Sequence, residues 1–123
     1  MSDEFCQQFL GDPNTREVLA WLRGKPEGEL FRTLGELGST EESIALAQEI
    51  YDAGAVEVLA VEIDDYDEDD DGGGQNTGKL VVKLPDQPNA RKRVFAWVNA
   101  NSQSHGFDPE PDTGQNYLFT MLD

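Results

Sequence analysis

Residues 56–63, with the sequence VEVLAVEI, restrict the fold of this chain more than any other segment. Their length and β-branched content predict a strand in a central position of a sheet. Successive side chains of a strand point to opposite faces of the sheet. Both sets are apolar here, one at Val56, Val58 and Ala60 and the other at Leu59, Val61 and Ile63. A fold that contains this strand must therefore cover both of its faces.

Two short helices are expected before the sheet begins. Residues 3–10 carry a weak helical stripe of apolar side chains. Asp12 is expected to cap the second helix, with Pro13 at the first helical position, where the missing N–H of proline costs nothing. Residues 18–22 continue the helical spacing, and Gly24 ends it.

Hydrophobic spacing predicts six further elements. They are a strand at 30–37, a helix at 39–54, strands at 56–63 and 79–84, a helix at 90–102 and a strand at 117–122. Ser39 and Glu42 have the spacing of a helix capping box, and Gly54 suits the position after the end of that helix. The order of the elements is therefore β-α-β-β-α-β.

This order predicts an α+β fold of the ferredoxin-like type. Two interleaved right-handed β-α-β units place four strands in one antiparallel sheet with two helices on one face. Residues 1–26 form an N-terminal helical extension, and residues 27–123 form a single α+β sandwich domain. The alternative is another α+β sandwich in which residues 30–37 are not a strand, because Gly35 weakens that prediction. Such a fold carries no function by itself.

The chain is strongly acidic, with 9 Lys and Arg against 25 Asp and Glu and a formal charge of -16 over 123 residues. This charge opposes binding to nucleic-acid phosphates and to an anionic membrane surface. No apolar run is long enough to cross a bilayer. One cysteine excludes an internal disulfide framework. No signal peptide is recognisable at the N-terminus, so we expect a cytoplasmic protein.

Residues 64–71, with the sequence DDYDEDDD, hold seven acids in eight positions. Together with the GGGQNTG that follows, they predict a mobile acidic loop at 64–78 within the domain. Asp67, Asp69 and Asp71 have the spacing that begins an EF-hand calcium loop. The position that needs a bidentate glutamate is Gly78, so a weak calcium site and a metal-free solvated loop both stay open. No other cofactor is expected.

The second face of the predicted sheet requires a cover. Left bare, it would expose on the order of several hundred Å² of apolar surface, about the limit for a monomer. The cover is either the helices of residues 3–24 or another protein chain. The candidate partner-binding residues on the sheet are Val56, Val58, Val81 and Phe119.

Arg91, Lys92 and Arg93 form the only basic cluster of the sequence. They lie in the first turn of a predicted helix, where the helix dipole disfavours cations. Pairing with acids of the same molecule explains this position, and a site for an anion or an acidic partner is the alternative. His105 and Cys6 have no neighbours of the types that nucleophilic catalysis needs, so we name no catalytic residue.

Three functions from different classes are compatible with these features. The first is a small, non-enzymatic interaction module that docks a protein partner or a second copy of itself through the second sheet face. The second is an acidic inhibitor, similar to an antitoxin, whose charge speeds its capture of a basic partner. The third is a ligand-binding domain or enzyme with an apolar pocket lined by Trp21, Trp97 and Tyr51. The first is our working hypothesis.

Overall fold

A computed structural model describes residues 3–25, 31–66 and 74–122 of the chain. The helices within these ranges are α1 (Asp3–Leu10), α2 (Val18–Arg23), α3 (Thr40–Ala53) and α4 (Pro88–Ser104). The strands are β1 (Arg16–Glu17), β2 (Phe31–Leu34), β3 (Glu57–Ala60), β4 (Asp64–Tyr66), β5 (Gly74–Thr77), β6 (Lys79–Lys83) and β7 (Tyr117–Met121). None of the helices in this part of the chain is both long and apolar enough to cross a bilayer.

The larger sheet has four antiparallel strands in the order β1-β3-β6-β7. β3 lies in the interior of the sheet, with Leu59 opposite Val81, and β6 lies beside it, with Val81 opposite Phe119. The prediction of an α+β fold with a four-stranded antiparallel sheet is confirmed. The central position predicted for the strand at 56–63 is confirmed as well, although the strand ends at Ala60.

The ferredoxin-like strand order is not found. β2 lies outside the larger sheet, and β7 pairs directly with β6 in the antiparallel direction. α4 has 17 residues and carries the chain about 25 Å away from the end of β6. Residues 105–116 can span about 40 Å when extended, and they return the chain so that Tyr117 starts β7 opposite Lys83. A ferredoxin-like β7 would instead start where α4 ends and run parallel to β6.

A second, smaller sheet accounts for the remaining strands, in the order β2-β5-β4. After Val61 the chain turns through Glu62, whose φ of 51 lies in the left-handed region, and enters β4. Thr77 Oγ1 donates a hydrogen bond of 2.6 Å to the Val61 carbonyl and so joins the two sheets. The interpretation of residues 64–78 as one loop is therefore wrong for 64–66 and 74–77, while residues 67–73 lie outside the described part of the chain.

Helices α2, α3 and α4 cover one face of the larger sheet. The fully buried side chains on that side include Val18 and Leu22 of α2, Ile50 of α3, Val94 of α4, and Val58, Leu80, Val82 and Leu118 of the sheet. They form the main hydrophobic core. Burial of this apolar surface is the principal stabilising contribution to the fold.

Helix α1 covers the opposite face. Cys6 and Phe9 pack there against the buried side chains of Leu59, Val61, Val81 and Phe119. The N-terminal helix is therefore the cover that the two-sided strand required. Val81, at the centre of β6, is fully buried beneath α1, so neither face of β6 is solvated at that position.

The second helix begins later than expected. The carboxylate of Asp12 accepts a hydrogen bond of 2.8 Å from the Asn14 N–H and forms a local turn instead of a helix cap. Glu17 is the cap of α2, and its carboxylate accepts the N–H groups of Leu19 and Ala20. The Ser39 half of the capping box predicted for α3 is confirmed, since Ser39 Oγ accepts the N–H of Glu42 at 3.1 Å. The Glu42 carboxylate accepts the N–H of Gly38 at 3.2 Å instead of that of Ser39.

Candidate functional site

The four predicted partner-binding residues do not share one surface. Val58 is fully buried on the face of the sheet that α2, α3 and α4 cover. Val81 and Phe119 are buried on the opposite face, beneath α1. Val56 is 54% exposed and precedes β3. Three of the four side chains thus belong to the two hydrophobic cores of the free chain.

The basic cluster at the start of α4 is split between different contacts. Arg91 donates to both carboxylate oxygens of Asp112, with the shorter bond at 2.6 Å, and also to the Gln115 carbonyl. This pairing lowers the pKa of the Asp112 carboxyl, with a further contribution from the N–H of Gly114. Arg93 donates instead to the carbonyl of Ala53 at the end of α3, and Lys92 is exposed. Arg91 therefore fastens residues 105–116 to α4, which favours the structural interpretation of this cluster.

The proposed calcium ligands Asp67, Asp69 and Asp71 lie outside the described residues. Within the described ranges, no group of three His, Cys, Asp or Glu side chains could hold a metal ion. Burial raises the pKa of the Cys6 thiol to about 11. At neutral pH this thiol keeps its proton and is a poor nucleophile. It is buried between α1 and the larger sheet.

A polar cavity of about 370 Å³ lies between the segment β1-α2 and the smaller sheet. Its walls contain two arginines, two carboxylates, two amides and one indole. The lining residues are Asn14, Arg16, Glu17, Ala20, Trp21, Arg32, Ile63, Asp65 and Gln75. Its volume lies within the range of small-molecule sites, and its lining is more polar than is usual for them.

The indole of Trp21 forms the back wall of this cavity. Its Nε1–H donates to Gln75 Oε1 at 2.8 Å, and the Gln75 amide in turn donates to Asp65 Oδ1 at 2.5 Å. The guanidinium of Arg32 lies 5.9 Å from the centre of the indole ring and donates to the Trp21 carbonyl. These contacts hold four side chains from four different elements in fixed relative positions.

Glu17 also lines the cavity, but its carboxylate is hydrogen-bonded to other groups of the protein. Its carboxylate caps α2 and accepts a hydrogen bond of 2.5 Å from the hydroxyl of Tyr51. The same hydroxyl accepts the N–H of Val58 at 2.9 Å. Burial and the contact with Glu17 raise the pKa of Tyr51 to about 12, so this hydroxyl keeps its proton at ordinary pH. The network joins α2, α3 and β3.

Replacement of Tyr51 by phenylalanine is expected to lower the free energy of unfolding by about 2 kcal/mol, because the buried N–H of Val58 loses its partner. Urea denaturation followed by circular dichroism measures this change. Tyr117→Phe is the matched control, since the described residues offer its hydroxyl no hydrogen bond, and we expect it to change stability by less than about 0.5 kcal/mol. Equal effects of the two substitutions would contradict the network.

The sequence predicted a pocket lined by Trp21, Trp97 and Tyr51. Of these three residues, only Trp21 lines the cavity. Tyr51 serves the helix-cap network, and Trp97 packs against the main core. The cavity is polar where an apolar one was expected. Arg16 and Arg32 were not identified from the sequence, because no spacing pattern links residues that come from separate strands.

A second exposed feature is the edge of the smaller sheet. β4 is an edge strand, and in the described part of the chain no other strand pairs with its outer side. Asp64 and Asp65 are both exposed on it, opposite Asn76 and Gln75 of β5. By sequence, β4 runs directly into the five acids of residues 67–71. An edge strand with this charge combines open backbone hydrogen-bonding groups with carboxylates.

Comparisons of the chain with protein-family models, with curated protein sequences and with solved structures each give no match.

Proposed function

We propose that this protein is a small, non-enzymatic interaction module that binds a basic, extended segment of a protein partner along the edge of β4. The observation that carries this proposal is the exposed pair Asp64 and Asp65 on an edge strand that leads into five further acids. An added strand would obtain its affinity from main-chain hydrogen bonds and its selectivity from side chains at alternate positions. Asp64 and Asp65 point to opposite faces of the sheet, so lysine or arginine on both faces of the added strand complements them.

The overall charge supports a basic partner. With a formal charge of -16, the protein attracts cations over distances beyond direct contact and accelerates association with a positive surface. The second sheet face, the docking surface of our first hypothesis, already carries α1. For this reason we place the interaction at β4, and dimerisation through the second face is not part of the proposal. A cytoplasmic setting is part of it, since a reducing compartment suits one free, buried cysteine.

Acidic residues on an edge strand also have a purely protective role, because they prevent edge-to-edge aggregation. The two roles predict different responses to a basic peptide. A protective edge needs only to repel other acidic edges, whereas a binding edge must also add a basic strand through main-chain hydrogen bonds. A basic peptide, compared with a copy of it that lacks backbone donors, separates the two roles.

The test uses a fluorescent nine-residue peptide with the sequence KKTKKTKKT, which places lysines on both faces of the added strand. It is titrated with the full chain at low and at physiological salt. We expect Asp64→Asn with Asp65→Asn to weaken binding about fivefold, from two exposed ion pairs of about 0.5 kcal/mol each. The matched control is Glu41→Gln with Glu49→Gln, which removes the same charge from exposed positions of α3. We expect this control to change binding by less than about twofold.

A second peptide tests the strand itself. It carries N-methyl groups on alternate residues, which remove backbone donors and keep every lysine. We expect it to bind at least about tenfold more weakly than the parent peptide, because several main-chain bonds are lost. Equal affinities of the two peptides, or equal effects of the β4 and α3 variants, would leave only non-specific charge attraction and would refute the proposal.

A further inference from the structure

We propose that the polar cavity between β1-α2 and the smaller sheet binds a small zwitterion of the α-amino acid class. In this arrangement Arg16 holds the carboxylate and Asp65 holds the ammonium group. Both side chains line the cavity, one from the larger sheet and one from the smaller. The cavity shares Asp65 with the β4 edge, and it differs from that edge in its ligand and in its use of Arg16.

Arg16 is oriented for an anion. Its Nη1 donates to the carbonyls of Pro13 and Thr15, and the pairing of β1 with β3 places Arg16 opposite Ala60. The Nε and Nη2 groups have no hydrogen bond to the described residues, so one edge of the guanidinium fork is available. That edge matches the two oxygens of a carboxylate.

Asp65 supplies the opposite charge. Gln75 donates to Oδ1 of Asp65, and the described residues donate nothing to Oδ2. The other carboxylate on the wall, Glu17, is already satisfied by the start of α2 and by the Tyr51 hydroxyl. Of the two acids that line the cavity, Asp65 is therefore the one with an oxygen free for an ammonium group.

Charge and size select the ligand class. The cavity contains two arginines and two carboxylates, so it is close to neutral overall. A ligand with a net negative charge is repelled by a protein of charge -16, whereas a zwitterion is not. A volume of about 370 Å³ holds roughly a dozen waters at about 30 Å³ each, which is room for a free amino acid with its side chain. Ala20, Ile63 and the Trp21 indole form the less polar wall for that side chain.

The two tryptophans give this proposal an internal control. The full chain, labelled with nitrogen-15, has one indole N–H in the cavity, from Trp21, and one on α4, from Trp97. Each of the common L-amino acids is titrated separately, with acetate, methylammonium and inorganic phosphate as partial ligands. We expect at least one amino acid to shift the Trp21 indole and the Gln75 side-chain amide saturably, while the Trp97 indole stays in place and reports an intact fold.

The variants assign the two ends of the ligand. Arg16→Gln is expected to weaken amino-acid binding at least about tenfold, as loss of a charge-assisted hydrogen-bonded pair does. Arg23→Gln removes the same charge from an exposed residue of α2 outside the cavity and is expected to change binding by less than about twofold. Asp65→Asn is expected to reduce the preference for amino acids over acetate.

Three results would overturn the proposal. The first is no saturable shift of the Trp21 indole with any L-amino acid up to about 10 mM, which corresponds to a binding free energy of about -3 kcal/mol. The second is tighter binding of acetate or phosphate than of any amino acid. The third is unchanged amino-acid binding by the Arg16→Gln variant. Failure here is separable from failure of the proposed function. The single variant Asp64→Asn affects only the basic peptide, and Arg16→Gln affects only the amino acid.

Discussion

Replacement of Phe9 by alanine is expected to lower the free energy of unfolding by about 3 kcal/mol, because Phe9 anchors the helix that covers the second sheet face. Phe9 is 5% exposed, and its ring stacks on that of Phe119 with centroids 5.6 Å apart. Its edge also meets the ring of Phe5. The effect lies at the lower end for a phenylalanine in a core, since a short helix held by two buried side chains can detach locally before the whole chain unfolds.

The same substitution is expected to expose the second face. Once α1 detaches, Leu59, Val81 and Phe119 meet water, and the variant should bind a hydrophobic dye and self-associate. Leu10→Ala is the control on the same helix, because Leu10 is 38% exposed, and we expect a change below about 1 kcal/mol. If both substitutions have the same small effect in urea denaturation, α1 is not the cover of this face.

Replacement of Gly35 by alanine is expected to destabilise the protein by about 3 kcal/mol. Gly35 has a φ of +55, and an added Cβ would lie 2.8 Å from both the Cβ and the carbonyl oxygen of Leu122. The left-handed backbone contributes about 1 kcal/mol of this loss, and displacement of the chain end beside β7 contributes about 2 kcal/mol. The N–H of Gly35 also donates to Thr77 of the smaller sheet, so the backbone has little freedom to move away.

Gly11→Ala serves as the control for this prediction. The space around a Cβ at Gly11 is open to 4 Å, and its φ lies outside the left-handed region. We expect a change within about 1 kcal/mol and on the stabilising side, since alanine restricts the unfolded chain. Thermal unfolding of both variants measures the difference in stability. A Gly35 variant as stable as the Gly11 variant would show that residues 35 and 122 are not in close contact.

Local signals in the sequence were sufficient for most elements of the larger sheet and its helices. The alternation of residues 79–83 specifies β6, and Ser39 and Gly54 mark both ends of α3. The apolar character of both faces of β3 correctly required a second cover. These features depend on neighbours a few residues apart, which is the distance over which side-chain spacing and capping act.

Pairing between distant segments could not be predicted in the same way. The partner of β2 is β5, a strand with the sequence GQNT that has no apolar alternation. Gly74 of that strand fits because an added Cβ would lie 2.6 Å from the carbonyl oxygen of Phe31. The polar strand is held by backbone pairing and by contacts such as the Thr77 bond to Val61, and neither has a periodic signature.

The polar cavity was missed for a related reason. Arg16, Trp21 and Gln75 come from a strand, a helix and the second sheet, and the turn at Glu62 leads the chain from the larger sheet into the smaller one. A left-handed glutamate is uncommon, and nothing in the surrounding sequence distinguishes it. The acidic run, in contrast, is visible in the sequence, and the structure adds that it begins on an exposed edge strand.

The most direct test of the proposed interaction is a map of backbone amide shifts on addition of the lysine–threonine peptide. We predict that the largest shifts occur at Asp64, Asp65 and their partner Gln75, with the amides of α1 unchanged. Shifts centred on Val81 and Phe119 together with α1 would contradict this prediction, because the partner would then bind the second sheet face by displacing the helix that covers it.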